Sequence, residues 1–117
     1  MTEGENCATL VPWGQLKSKD CEETFPYVCE RSLGSPRKCA QGWEHFGDSC
    51  YKRYHHEKKQ WDEARDTCQD DNADLIVVNS HFENYWLYDF ANRDSVDIWL
   101  GLRENVIQIL IKFRLIL

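Results

Sequence analysis

The sequence predicts a small α+β domain held together by disulfide bonds, with two helices and small antiparallel sheets. Six cysteines occur in 117 residues, a density typical of proteins that fold in an oxidising compartment. Apolar residues recur at helical spacing in two segments. Short apolar runs bounded by Gly, Asn or Asp indicate strands elsewhere.

The composition limits the partners and the compartment. A net charge of −6 argues against nucleic acid and anionic membrane surfaces as main partners. Met1 is followed at once by polar residues, so no secretory signal peptide is predicted. Because disulfides need an oxidising compartment, we interpret the chain as a piece of a longer secreted or membrane-anchored protein, or as an imperfect gene model.

Strands and a linker make up the first third of the chain. Residues 7–10 and 25–29 are predicted as short strands, and the polar residues 15–20 as a strand edge or a loop. Residues 34–38 combine Gly, Ser and Pro with basic residues and are predicted as a linker.

After the linker, residues 39–54 are rich in Gly and aromatics and predict a hairpin. Residues 60–71 predict a helix, since Trp61, Ala64 and Cys68 fall on one face. A short strand is expected over 75–78. Ser80 and Glu83 form a capping-box pattern that begins a second helix, ending near residue 92. A further strand is expected over 97–102.

The tail, residues 106–117, consists almost entirely of Val, Ile, Leu and Phe. It is shorter than the roughly 20 residues that a membrane-spanning helix needs, so no membrane insertion is predicted from this segment. Two interpretations remain: a strand or core segment, or read-through into non-coding sequence, which we favour because no other part of the chain has this composition.

With these segments placed, the chain resembles the C-type lectin-like domain family. Six motifs with consistent spacing carry the resemblance and cover nearly all of the chain apart from the linker and the tail. They are Gly42-Trp43 with Ser49-Cys50-Tyr51, Trp61-Asp-Glu-Ala-Arg-Asp-Thr-Cys68, Asp74-Leu-Ile-Val-Val-Asn-Ser80 with Glu83, Trp99-Leu-Gly-Leu102, Glu5-Asn-Cys-Ala8, and Cys21 with Tyr27-Val-Cys-Glu30.

The last two motifs follow the other four in the family but precede them here. Residues 1–33 therefore resemble the C-terminal half of one domain and residues 39–105 the N-terminal half of another, as in a window cut from a tandem array. The two halves are also expected to fold together as one permuted domain, because domain ends lie close together in the family. The resemblance then implies three disulfides, which are Cys7–Cys21, Cys29–Cys68 and Cys39–Cys50.

The resemblance implies two calcium sites. Glu5 matches one ligand of the sugar-binding calcium, but Leu16, Lys17 and Ser18 occupy the family's Trp-Asn-Asp positions, and lysine has no lone pair to offer. The sugar site is therefore expected to be incomplete. A structural calcium, a hard cation that takes oxygen ligands, would be held as a cofactor by the residues that resemble its family ligands, which are the Val77 carbonyl, Glu83 and Glu30.

Other patterns favour ordinary structural roles. His55 and His56 lie in a polar run that is predicted as a solvated loop rather than a metal site. The acidic run over 70–74 indicates a helix end and a turn. Trp61 and Trp99 are expected in the core. No Ser–His–Asp or Cys–His catalytic pairing is identified, so an enzyme is the least expected class.

The function implied by the resemblance is an extracellular carbohydrate-recognition module whose partner is a glycan or a glycoprotein. Two alternatives stay open. One is a calcium-independent protein-binding domain, and the other is a non-functional fragment of a larger multi-domain receptor.

Overall fold

The strands on both sides of the linker join one sheet. The computed structural model of the protein describes residues 7–11, 16–34, 38–77, 89–90 and 96–101. Its elements are β1 (Cys7–Leu10), β2 (Leu16–Lys19), β3 (Phe25–Ser32), β4 (Glu44–Phe46), β5 (Ser49–Lys59), α1 (Trp61–Asp70), β6 (Asp74–Leu75) and β7 (Ile98–Trp99). The strand order is β2-β1-β7-β3-β5-β4, and β6 also pairs with β3. Within the described residues, every strand pair is antiparallel except β3 with β7.

Strand β3 is the centre of the architecture. It is the last strand before the linker, yet it pairs with β5, β6 and β7, which all follow the linker. The disulfide Cys29–Cys68 adds a covalent link from β3 to α1. The α+β prediction is confirmed, and residues from before and after the linker share one sheet.

The strand alternation divides the core into two clusters. We call the first the helix cluster, because α1 packs in it; its members are Cys7, Tyr27, Cys29, Trp61, Ala64, Cys68, Leu75 and Trp99. We call the second the aliphatic cluster; its members are Leu10, Val28, Tyr51, Ile76, Phe90, Ile98 and Leu100. Neighbours along each strand fall into different clusters, as expected when successive side chains point to opposite faces of a sheet.

Helix α1 lies close to its predicted bounds. Trp61, Ala64 and Cys68 are buried on one face, as their spacing predicts. The Gln60 amide donates to the Glu63 carboxylate at 3.2 Å, and the Trp61 amide donates to the Cys21 carbonyl at 3.1 Å. These bonds satisfy two amide donors at the start of the helix, where partners within the helix are missing. Asn72, with φ 57°, follows the helix end in the left-handed region.

Two boundaries differ from the predictions. The long strand β5 continues to Lys59, so His55 and His56 lie in a strand and not in a loop. Its pairing with β3 shifts register between Phe25 and Tyr27, which leaves a bulge in β5. Strand β6 ends at Leu75, earlier than predicted, although the Ile76 amide still donates to the Val28 carbonyl at 3.1 Å.

Gly101 is needed where β6 and β7 approach each other. Its amide donates to the Ile76 carbonyl at 2.8 Å, and a Cβ at this position would lie 2.7 Å from the Leu75 carbonyl oxygen. Only glycine fits such a close backbone contact without a shift of the chain.

Other predicted segments lie outside the described residues. Of the second predicted helix only Asp89 and Phe90 are described; both are helical, and Phe90 is buried. The tail, residues 106–117, is outside them as well. No helix in the described part of the chain has the length and apolar character needed to cross a membrane.

Candidate functional site

The family's sugar-site positions lie on the edge strand β2. Leu16, Lys17 and Ser18 form this strand together with Lys19, and β2 pairs with β1 in the register Thr9↔Lys17 and Ala8↔Ser18. The disulfide Cys7–Cys21 closes the β1–β2 hairpin. Lys17 is exposed. The edge therefore presents a cationic side chain where calcium-binding members of the family are expected to carry an oxygen ligand.

An acidic side chain near this edge is already paired. The Asp97 carboxylate accepts a hydrogen bond from the buried Thr9 hydroxyl at 3.2 Å, and the Lys19 ammonium lies 3.8 Å from the same oxygen, Oδ2. The side chains of Lys19 and Asp97 are only 19% and 21% exposed. A cation binding at Asp97 would have to compete with the lysine for this carboxylate.

The proposed ligands of the structural calcium are only partly described. Glu30 lies on the same face of β3 as Val28, the face of the aliphatic cluster, and its Oε2 accepts a hydrogen bond from the Tyr51 hydroxyl at 3.2 Å. Val77 follows β6, which pairs with β3. Glu5 and Glu83 lie outside the described residues. Among the residues that are described, no group of three or more His, Cys, Asp or Glu side chains is arranged to hold a metal ion.

The two adjacent histidines contact each other in the β5 bulge. Their ring centroids lie 3.8 Å apart. The Nδ1 atom of His55 is buried and has no hydrogen-bond partner among the described residues. His56 is exposed. Two imidazoles alone provide too few ligands for a closed metal site, which needs about four.

The acidic run at the end of α1 makes structural contacts. Asp71 accepts from the Tyr54 hydroxyl at 3.1 Å through its side chain and from Arg31 Nη1 at 3.2 Å through its main-chain carbonyl. Asp74 pairs with Arg65 at 3.2 Å. These contacts fit the predicted helix end and turn rather than an EF-hand loop.

Two tyrosines on β3 and β5 are held in their neutral form. Tyr27 and Tyr54 stack with ring centroids 4.8 Å apart. Burial raises the pKa of Tyr27 to about 12, and the nearby Glu57 carboxylate, which accepts its hydrogen bond at 3.2 Å, adds to this. Burial also raises the pKa of Tyr54.

The structure also reveals a cavity that the sequence analysis missed. It has a volume of about 260 Å³ and lies where the linker leaves β3 and returns to β5. Its lining residues include Arg31, Ser32, Gly34, Lys38 and the disulfide Cys39–Cys50. The basic residues between 31 and 38 were the available signal, but they were interpreted only as part of a linker.

All six cysteines are paired. The disulfides are Cys7–Cys21, Cys29–Cys68 and Cys39–Cys50, the same pairs that the family resemblance implies. Their Cα–Cα distances of 5.2, 5.3 and 5.6 Å are ordinary for disulfides. The chain therefore has no free cysteine that could serve as a nucleophile.

Comparison with known proteins identifies relatives among receptors. The secretory phospholipase A2 receptor of Homo sapiens is 32% identical over 122 residues, which take in 90% of this chain and 8% of the receptor. C-type lectin domain family 12 member B of Mus musculus is 30% identical over 98 residues, which take in 84% of this chain and 34% of that protein. C-type mannose receptor 2 of Mus musculus is 24% identical over 108 residues, covering 80% of this chain and 7% of the receptor.

The chain thus spans less than a tenth of the length of the phospholipase receptors that it matches. No solved structure matches it. A family model, the lectin C-type domain, matches residues 57–110, which contain α1, β6 and β7. The fold, the disulfide pairs, the family model and the curated relatives agree, and the chain belongs to the C-type lectin-like domain family.

Proposed function

We propose that the chain is part of a non-enzymatic, extracellular recognition module that binds a protein ligand without calcium at its β2 edge. The observation that carries the proposal is the charge of this edge. Lys17 is exposed on β2, and Lys19 pairs with Asp97 at 3.8 Å. Lys17 repels a divalent cation, and the pairing of Lys19 with Asp97 leaves that carboxylate less available to one, whereas an exposed cation on an edge strand suits contact with an acidic protein surface.

The name of one relative supports a protein ligand. The secretory phospholipase A2 receptor is named for a protein that it binds, and it is 32% identical to this chain. C-type mannose receptor 2, which is named for a sugar, is 24% identical. A secretory phospholipase A2 is therefore a reasonable first protein probe.

Carbohydrate recognition is the second candidate, and Glu30 favours it. This carboxylate follows the last cysteine of the motif in residues 27–30, the position that resembles a ligand of the structural calcium, and it lies on the face of β3 that carries the aliphatic cluster. In this reading Glu30, Val77 and Glu83 hold the ion, and the glycan contacts come from other segments. Calcium would here stabilise the loop around Val77.

We also propose that residues 1–33 are the C-terminal half of one domain and residues 39–105 the N-terminal half of the next, joined by the linker 34–38. An alignment that takes in 90% of the chain runs through the linker, so the phospholipase receptor carries these segments in the same order. Residues 106–117 stay assigned as a separate tail.

Binding with and without a chelator tests the ligand class. The folded chain is assayed against a glycan array that contains mannose and against immobilised secretory phospholipase A2, each with calcium and with EDTA. We expect binding to the protein that EDTA does not change, and no glycan binding that depends on calcium. Glycan binding that EDTA abolishes would reject this proposal and favour the carbohydrate candidate.

A charge reversal tests the surface. Lys17→Glu should weaken binding to the phospholipase about three- to tenfold, because it replaces an attractive charge at the contact with a repulsive one. Lys58→Glu is the matched control, since Lys58 is also an exposed strand lysine but lies on β5. Equal losses in both variants would show that only the overall charge matters, and would contradict the β2 edge as the contact.

A further inference from the structure

The cavity beside the linker is formed by three contacts that bring its walls together. The Leu33 amide donates to the Asp48 carbonyl at 2.9 Å, and β3 pairs with β5 through Arg31↔Cys50 and Ser32↔Ser49. The disulfide then places Cys39 next to Cys50, with Cα atoms 5.6 Å apart. The linker is therefore tied at both of its ends to one end of β5, and the cavity of about 260 Å³ lies between them.

The cavity is cationic although the protein is acidic. Among the described residues, its lining includes Arg31 and Lys38 but no Asp or Glu. The sequence from 31 to 38 contains no acidic residue, whereas the whole chain has a net charge of −6. Two positive charges at one concave surface produce a local potential that attracts anions.

The charge of Arg31 is held in place without being neutralised. Its Nη1 donates to the Asp71 main-chain carbonyl at 3.2 Å, and the guanidinium lies 5.6 Å from the centre of the Trp43 ring. The Asp71 carboxylate is directed to the Tyr54 hydroxyl. Within the described part of the chain, no carboxylate pairs with Arg31 or Lys38. The guanidinium is thus oriented by a carbonyl and an aromatic ring, which leaves its positive charge available.

The lining also indicates the kind of anion. Protein contacts depend on large aromatic or aliphatic anchors. The described lining residues offer none, since besides the two cations they are Ser32, Gly34, Ala40 and the disulfide. The volume is below that of a pocket for a drug-sized ligand, which is about 300–1,000 Å³. A sulfate group has several oxygens that can accept from a guanidinium and an ammonium at once.

We propose that the cavity formed by Arg31, Ser32, Lys38 and the Cys39–Cys50 disulfide binds a sulfate group of a sulfated saccharide. This site is separate from the β2 edge, which lies at the opposite end of the strand order. It requires no calcium. It would allow the chain to bind a sulfated glycan and a protein ligand together.

The test uses the full chain with a heparin-derived tetrasaccharide, and binding is measured by isothermal titration calorimetry at low and high salt. We expect binding that weakens as salt rises, since the contact is between charges. The chemically desulfated tetrasaccharide should not bind. Equal binding of the desulfated form would overturn the proposal, and so would stronger binding of an oligoglutamate peptide, which would assign the site to protein carboxylates.

Variants locate the site. Lys38→Gln should weaken tetrasaccharide binding about three- to fivefold, since one exposed charge contact is lost. Because Lys38 is exposed and forms no hydrogen bond or ion pair with a described residue, this variant should fold normally. Arg31→Gln combined with Lys38→Gln should reduce binding by more than about tenfold. The control Lys58→Gln removes an exposed charge away from the cavity and should bind as the unmodified chain does. Unchanged binding in Lys38→Gln, or an equal loss in the control, would overturn the assignment.

Discussion

The two faces of the sheet are held by different kinds of interaction. The helix cluster contains two tryptophans, a tyrosine and a disulfide, and its aromatic side chains carry polar atoms that bond to the main chain or to charged groups. The aliphatic cluster relies mostly on Leu, Ile and Val. Both clusters are fully buried at their centres, with Trp99, Leu100 and Val28 at 0% exposure.

The two clusters differ in how far their interactions depend on direction. The Trp61 indole N–H donates to the Leu100 carbonyl at 2.8 Å, and the Trp99 indole N–H donates to the Lys59 carbonyl at 2.7 Å. Each bond joins segments that are far apart in the sequence. Apolar contacts stabilise without specifying geometry, whereas buried hydrogen bonds and disulfides fix one arrangement. The two indole bonds hold together segments that follow the linker, and the Cys29–Cys68 disulfide joins these segments to β3, which precedes it.

The largest effect should come from the disulfide in the helix cluster. Replacing both Cys29 and Cys68 with Ala should lower the free energy of unfolding by about 4 kcal/mol, because the bond closes a long loop. The Cys39–Cys50 pair closes a loop of sequence separation 11 rather than 39, so its removal should cost about 3 kcal/mol. Urea unfolding measures both.

The relative loss of stability on removal of each disulfide tests which bond links the two segments. If removal of Cys39–Cys50 destabilised the chain more than removal of Cys29–Cys68, the helix cluster would not be the main link between the two segments. Mass mapping under non-reducing conditions is the companion measurement, and a Cys29 that is not bonded to Cys68 would contradict the proposed assembly.

A smaller effect is expected for Trp99→Phe. This change keeps an aromatic ring but removes the N–H that the Lys59 carbonyl accepts, and an unsatisfied buried acceptor costs about 1–3 kcal/mol. Ile98→Val, on the adjacent residue and the aliphatic face, should cost about 0.5–1.5 kcal/mol. Thermal or urea unfolding of the two variants compares the faces directly. A larger cost for Ile98→Val would contradict the importance of the indole bond.

The last effect should be absent at neutral pH and appear only at alkaline pH. The pKa of Tyr27 is about 12 in the folded protein, against an ordinary value of 10.0. Between these values the unfolded chain releases the tyrosine proton while the folded protein keeps it. The unfolded state is then favoured increasingly. The contribution of Tyr27 to the free energy of unfolding should therefore be constant below about pH 10, and it should fall as pH rises towards about 12.

The variant Tyr27→Phe separates the effect of Tyr27 on the free energy of unfolding from that of the lysines, which titrate in the same pH range. The decline between about pH 10 and 12 should be shallower in the variant, as measured by urea unfolding at each pH. Parallel declines in the variant and the unmodified chain would show that Tyr27 does not retain its proton on folding.

Local periodicity explains what the sequence could predict. Helix α1 was predicted because Trp61, Ala64 and Cys68 repeat at helical spacing, and the same residues are buried in the structure. Trp61 and Trp99 were expected in the core, and this is confirmed. These features follow from the spacing of apolar residues within one helix or strand, which can be read directly from the sequence.

Features that depend on distant contacts were missed. The polar residues from 55 to 59 belong to β5 because pairing with β3 resumes after the bulge, with Lys59 opposite Phe25, and because the Lys59 carbonyl accepts the Trp99 indole N–H. Nothing in their own composition indicates a strand. The cavity beside the linker likewise exists only because β3, the linker and the Cys39–Cys50 disulfide meet. The predicted calcium ligands Glu5 and Glu83 lie outside the described residues, so that part of the site stays a prediction.

The disulfide pattern also has a mechanical consequence. The Cys29–Cys68 bond encloses the Cys39–Cys50 bond, and the Cys7–Cys21 bond lies outside both. When the chain is pulled from its two ends, force bypasses the segments 7–21 and 29–68 through the sulfur atoms. These segments cannot lengthen even if their strands separate. The extension under tension is therefore limited to the rest of the chain until a reductant opens the bonds.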